Sequence, residues 1–276
     1  METKLNYKRT FLIGLAFLSI CSFWQMYDNI IPLILQNTYH LGETMTGAVM
    51  ALDNVLAIFL LPVFGTLSDK VHTKLGRRMP FIVSGTILAV IFMMLLPMID
   101  NAEKARWGTV ESFSNQVIFL AVLFFTLVSM GLYRSPAVAL MPDVTPNHLR
   151  SRANAVINLM GAVGGVYALI MIKVLVGKGE TPDYLPLFAS IAAVMAIAVG
   201  ILVITIRENK LREEVEKAEA ANAGTIEEKA MAEGVEAAGE IEAVGDTGEV
   251  KAFDGKKQTG KTEGTKGMPK EVKRSM

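Results

Sequence analysis

The sequence predicts an all-α membrane protein, a bundle of six transmembrane helices followed by a polar tail. Three observations carry this. Hydrophobic residues make up 51% of the 276 positions, and mean hydropathy is +0.39. The apolar residues are concentrated before Ile206, and from Arg207 onward the chain becomes charged. Within the apolar part, six runs reach the roughly 20 residues needed to cross a hydrocarbon core about 30 Å thick.

The runs lie at about 11–36, 44–68, 79–99, 115–141, 153–176 and 184–206. They are continuous, rich in Leu, Ile, Ala, Met and Gly, and lack the alternation of a membrane barrel. Helices are therefore what satisfies their backbone polar groups in lipid. The first run follows METKLNYKRT. It is too long for a signal-peptide core and has no small-residue cleavage site, so it reads as a retained span. The expected organisation is an N-terminal segment 1–10, a transmembrane domain 11–206, and a polar linker or tail 207–276. The tail opens with LREEVEKAEAANAGTIEEKAMAEG, which suits one or two helical turns beyond span six. The rest is rich in Gly, Lys, Thr and Glu with almost no aromatics, a composition expected to stay disordered.

Orientation follows from the basic residues of the short flanks. Lys4, Lys8 and Arg9 precede span one; Lys70, Lys74, Arg77 and Arg78 separate spans two and three; Arg150 and Arg152 separate four and five; Arg207, Lys210 and Arg212 follow six. The opposite loops hold only Lys104, Arg106 and Lys178. Both termini are expected in the cytoplasm, and the plasma (cytoplasmic) membrane is the expected location. Net charge is zero and excludes nothing about partners, while the single cysteine, Cys21, excludes an intrachain disulfide.

Between spans two and three the chain reads GTLSDKVHTKLGRRMPF, residues 65–81. Gly65 permits close helix approach, Asp69 sits at a helix end, and Arg77 with Arg78 offers it partners. The spacing of Asp69, Gly76, Arg77, Arg78 and Pro80 resembles the cytoplasmic signature of the major facilitator superfamily. The form is that of sucrose-transporter-like proteins and the related glycoside-pentoside-hexuronide:cation symporters. A second block, YRSPAVALMPDVTPNHLRSRANAVINLMGAVGGV at 133–166, resembles the same family. In it Asp143 is expected to face Arg150 and Arg152 as Asp69 faces Arg77 and Arg78, and Gly161 with Gly165 forms a G-x-x-x-G suited to close packing. The resemblance implies the N-terminal half of a twelve-helix fold, with these charge clusters holding an inner gate. Fixing topology alone is the other reading of the clusters.

Ionisable residues at membrane depth are costly and are functional candidates. Asp28 and Asp53 fall roughly 12 and 13 Å below the outer ends of spans one and two at about 1.5 Å per residue, near the midplane, where transporters place substrate and coupling ions. Trp24, Gln25, Tyr27, Asp28 and Asn29 form a polar and aromatic cluster, with Trp24, Asp28 and Pro32 at i, i+4 spacing. Aromatic rings cover the apolar face of a pyranose while carboxylate and amide groups bond its hydroxyls. Asp53 and Asn54 extend the cluster from span two, and either aspartate suits proton coupling. A second reading stays open: the aspartates and their neighbouring asparagines bond one another and tie spans one and two together. Arg134, within span four, is placed to bind substrate, to pair with an acid of another span, or to snorkel.

Melibiose-type relatives carry span-two carboxylates where this chain has Ala57 and Leu61, which favours H+ over Na+ as the coupling ion. Plant-type sucrose carriers place an Arg after the span-four Pro, whereas here Arg134 precedes Pro136 and Val138 fills the other place. His40, His72 and His148 lack metal-ligand spacing. No phosphate loop, catalytic triad or nucleic-acid surface is present in the sequence, so no enzyme chemistry, metal, cofactor or nucleic-acid partner is expected. The expected activity is sugar symport with protons by alternating access, the substrate being sucrose, maltose or a related glycoside. A second six-helix half, as a separate chain or a second copy, is the expected partner. The alternative is a truncated or split half-transporter with no activity of its own.

Overall fold

The computed structural model describes residues 5–71, 73–105, 113–177, 182–217, 219–220 and 224. The chain divides into two units, Met1–Gly224 and Thr225–Met276, and the second, with most of the expected disordered tail, lies outside the described residues. Six helices form the first unit: α1 Tyr7–Asn37, α2 Glu43–Lys70, α3 Met79–Ala105, α4 Phe113–Asp143, α5 Arg150–Leu175 and α6 Leu185–Thr205. Each is long and apolar enough to cross a membrane. Several run past the apolar stretches that announce them. At 31 residues, α1 measures roughly 46 Å and enters the headgroup layers, where polar residues are solvated and hydropathy no longer marks the helix.

Lipid tails are as apolar as leucine, so the helices associate through close packing and internal hydrogen bonds. The most extensive pairs are α1 with α5 and α3 with α4. Where α1 crosses α5, a Cβ on Gly164 would stand 2.0 Å from the Leu18 carbonyl oxygen, and the buried Ser22 hydroxyl donates to the Gly164 carbonyl at 2.8 Å. Where α3 crosses α4, a Cβ on Gly85 would meet the Tyr133 backbone nitrogen at 2.6 Å. Tyr133, fully buried, shares a 2.7 Å hydrogen bond with Ser19 of α1. A Cβ on Gly65 of α2 would stand 3.3 Å from Ser135 Oγ of α4, whose hydroxyl donates to the Leu61 carbonyl at 2.8 Å.

The expected G-x-x-x-G pair is half right in position. A Cβ on Gly161 would stand 2.9 Å from Cys21 Sγ and one on Gly165 3.7 Å from Gln25 Oε1, while Gly164 makes the tight crossing. The spacing of the close contacts is i, i+3 rather than i, i+4, both of which share a helix face. Outward, α2 shows Val55, Ile58, Phe59 and Val63, and α5 shows Leu159, Val163, Val166 and Ile170.

At the end of the bundle with few basic residues, Asp100 of α3 is fully buried. It accepts hydrogen bonds from Thr38 at 2.7 Å and from Lys104 at 2.5 Å. The Lys104 ammonium also reaches the Pro182 carbonyl and lies 4.5 Å from the centre of the Tyr184 ring. Beside it Asp183 accepts from Asn101 and from the Leu185 amide, and these bonds hold its carboxyl below the usual carboxylate range.

At the opposite, basic end, a further helical segment at 208–217 follows α6, nearly three turns where the sequence suggests one or two. Its Glu208, Leu211 and Val215 are buried, the i, i+3, i+7 pattern of an amphipathic helix. Arg9 of α1 holds it from the other side through Glu214 at 2.8 Å.

Candidate functional site

A cleft of about 430 Å³ opens along the α1–α5 crossing, lined by Cys21, Trp24, Gln25, Asp28 and Asn158 and by small and apolar residues of α5. The helix period sets it out: Cys21, Trp24 and Asp28 recur along one face of α1, and the absence of side chains at Gly161 and Gly165 leaves the opposing α5 wall low. Arg134 of α4 lies over the ring of Trp24, one of the lining residues, 5.4 Å from its centre. An arginine held over tryptophan in this way gains about 0.5–2 kcal/mol. Of the three roles the sequence leaves open for Arg134, the geometry adds a fourth, stacking, and among the described residues no acid pairs with it.

The two membrane aspartates lie within electrostatic reach of each other. Asn54 donates to its neighbour Asp53 at 2.9 Å, and Asn29 donates back to the Gln25 carbonyl of its own helix at 2.7 Å. Among the described residues, neither asparagine crosses between α1 and α2. Asp28 is exposed to the cleft, and no hydrogen bond or ion pair involves its carboxylate among the described residues.

Tyr27 departs from the rest of the cluster. It is 1% exposed, stacked on Phe23 and edge-on to Trp24, so it belongs to the core rather than to the cleft wall. Its hydroxyl and the Trp24 indole nitrogen are buried without a hydrogen-bond partner among the described residues, and both Asp28 and Asp53 lie within electrostatic reach of Tyr27.

At the basic end, the signature residues converge more tightly than two separate clusters. Arg78, 6% exposed, donates through Nε to Asp143 at 2.5 Å and through a terminal nitrogen to Ser68 at 3.1 Å. It also pairs with Asp69 at 2.9 Å. Arg77 reaches the same Asp143 oxygen at 2.8 Å and Asp69 at 3.8 Å. Burial pulls the Arg77 guanidinium down, but the hydrogen bond and charge of Asp143, with Asp69 and Glu208, outweigh it and hold it above its ordinary value.

Asp143 therefore does not face Arg150 and Arg152, as loop symmetry suggests. It pairs across to the other loop with Arg78, which is buried, and Arg77, which is half-buried, whereas Arg150 donates to the Thr145 carbonyl at 3.1 Å and Arg152 is exposed. Gly76, at φ +130°, turns the chain so that the next three residues present their amides to Glu208. The carboxylate of Glu208 accepts from Arg77, Arg78 and Met79 at 2.9–3.1 Å. A sequence reading misses Glu208 because it opens a charged stretch. It misses Asn158 although the residue stands three positions before Gly161, on the same face of α5.

A helical protein of six membrane spans with a charged, half-open cleft at its middle and an ion-pair cluster at one end has the construction of a membrane carrier. The model described as Major Facilitator Superfamily matches residues 13–239, and the chain belongs to that superfamily and is an integral membrane protein, a six-helix half of its fold. It is 26% identical to Sucrose transport protein SUT3 of Oryza sativa subsp. japonica over 137 residues, 47% of this chain and 27% of that protein. It is 34% identical to Sucrose transport protein SUC4 of Arabidopsis thaliana over 116 residues, 40% of this chain and 22% of that one. An uncharacterized symporter of Synechocystis, sll1374, is 24% identical over 144 residues, 50% of this chain and 25% of its own. The chain thus covers about a quarter of the length of the curated relatives it matches.

Proposed function

We propose that the chain is the N-terminal half of a secondary active sugar transporter, coupling a small glycoside to protons by alternating access. The observation that carries the reading is Arg134 stacked on Trp24, one turn from an Asp28 carboxylate without an ion pair among the described residues, in a cleft of about 430 Å³. Such a volume falls within the roughly 300–1,000 Å³ of small-molecule sites. An aromatic face, a cation, an acid and two amides make a chemistry suited to a polyol ring. The relatives named as sucrose transport proteins support the same substrate class.

In this reading Asp28 or Asp53 carries the proton. Ala57 and Leu61 leave the sodium-type position without acids, which favours a proton as the coupling ion. The ion-pair cluster of Asp69, Arg77, Arg78 and Asp143 closes the cytoplasmic side and breaks when the site opens inward. The exposed apolar faces of α2 and α5 suit a second six-helix half, whose rocking against this one alternates access. Cytoplasmic termini accord with the distribution of basic residues, and a plasma-membrane location is part of the same reading.

The test is uptake of labelled sucrose and maltose into proteoliposomes, with and without an imposed pH gradient, for the chain alone and with a co-expressed second half. Gradient-driven uptake supports the reading. Uptake only with the second half identifies a split carrier, and no glycoside uptake in either case contradicts it.

A further inference from the structure

We infer that the groove between α3 and α6 is a binding site for an anionic phospholipid of the leaflet at the basic end. The groove holds about 420 Å³ and is lined by Val83, Thr86, Ile87, Ala196, Gly200 and Ile204 among others. It exists because α6 sets Ala196 and Gly200 one turn apart against it: a Cβ on Gly200 would meet nothing within 4 Å. Thr86, its one polar lining residue, spends its hydroxyl on the Ile82 carbonyl, so the groove suits a hydrocarbon chain and no polar ligand.

Its length matches one leaflet. Measured from Met79 and Thr205, the helix ends at the basic side, the lining residues begin roughly 2–6 Å in and finish roughly 14–18 Å in at about 1.5 Å per residue. Half of a hydrocarbon core about 30 Å thick is about 15 Å.

The mouth of the groove selects the headgroup. Glu208 bonds the amides at the start of α3, so the turn carrying Arg207 and Lys210 lies beside the first turn of that helix. Asn209 bonds the Thr73 and Lys74 carbonyls, which brings the exposed Lys74 to the same place. Every glutamate from 208 to 217 is engaged: Glu208 by those amides, Glu213 by Lys217, Glu214 by Arg9 and Glu216 by Arg212. Arg207 and Lys210 are exposed and, among the described residues, have no acidic partner. The mouth is left positive at headgroup depth, where clustered basic residues recruit anionic lipid.

Native mass spectrometry of the purified full chain, titrated with palmitoyl-oleoyl phosphatidylglycerol or the matching phosphatidylcholine, tests the site. The wild-type chain is expected to retain one phosphatidylglycerol at well below the concentration needed for phosphatidylcholine. The double substitution Arg207→Gln with Lys210→Gln should erase that preference, at roughly fivefold in affinity per basic side chain. Gly200→Phe and, independently, Ala196→Phe should fill the groove and release the lipid while circular dichroism keeps its helical signal. Equal retention of the two lipids by the wild type, or a preference that survives the double substitution, overturns the proposal. Undiminished phosphatidylglycerol binding in both phenylalanine variants overturns it too, by leaving a surface charge site without a chain groove.

Discussion

The carboxylate of Glu208 receives the amide of Met79, the first residue of α3, at 3.1 Å, and is itself only 1% exposed. The segment after α6 is therefore part of the loop it caps, and the polar stretch begins as structure rather than as a tether. Replacing Glu208 by Ala leaves three amides at a helix start without their acceptor and should cost about 1–2 kcal/mol in equilibrium unfolding. Gln, which keeps an acceptor oxygen, should lose less.

Gly76 supports that cap from the other side. With φ at +130°, and with a Cβ 2.2 Å from Glu208 Oε2, an alanine there meets both backbone strain and a collision. Gly76→Ala should destabilise by about 1–3 kcal/mol, and the loss should shrink in part when combined with Glu208→Ala, since the contacts with the Glu208 carboxyl are then gone and only that with its Cβ, at 2.7 Å, remains. Strictly additive losses would show that the two residues do not act together.

The pairing of Asp143 across the loops predicts which charges are coupled. A double-mutant cycle between Asp143→Asn and Arg78→Gln should give a coupling of about 1–3 kcal/mol. The cycle between Asp143→Asn and Arg152→Gln should fall within about 0.5 kcal/mol of zero. The reverse order would restore the loop-by-loop pairing that the sequence suggests.

Among the α5 glycines, position decides cost. Gly164→Ala drives a methyl into the Leu18 carbonyl and must push α1 from α5, at about 1–3 kcal/mol, while Gly165→Ala, 3.7 Å from Gln25, should be near neutral. Thermal unfolding of the two variants side by side checks this.

These cases show what the sequence makes legible. Six apolar runs and two loop motifs suffice for the bundle, because lipid leaves the backbone few choices. Asp28, Asp53 and Arg134 stand out because ionisable groups are costly in hydrocarbon. Pairings between elements do not show: Asp143 with Arg78, Glu208 with Met79, and Arg134 over Trp24 join residues 65, 129 and 110 positions apart in the chain. The choice of Gly164 over Gly165 turns on the rotation of α5 about its axis, which G-x-x-x-G spacing does not define. Tyr27, grouped with its neighbours by sequence, belongs to the core by the same helical period that turns Trp24 and Asp28 outward.

For transport, Asp28→Asn and Asp53→Asn separate coupling from binding. Substituting the proton carrier should abolish uphill accumulation and spare sugar exchange, both read by labelled-sugar flux in proteoliposomes bearing the chain with its second half. Uphill accumulation that survives both substitutions would remove these aspartates from the coupling step.

The most direct measurement uses Cys21, the one cysteine of the chain, which lines the same cleft as Trp24 and Asp28. Its alkylation by N-ethylmaleimide should slow roughly tenfold once sucrose or maltose stands at ten times its Kd, since only about a tenth of the sites stay open. Trp24→Ala and Arg134→Gln should abolish that protection. An alkylation rate indifferent to both sugars, in membranes that contain the chain and its second half, would contradict a sugar site in the α1–α5 cleft.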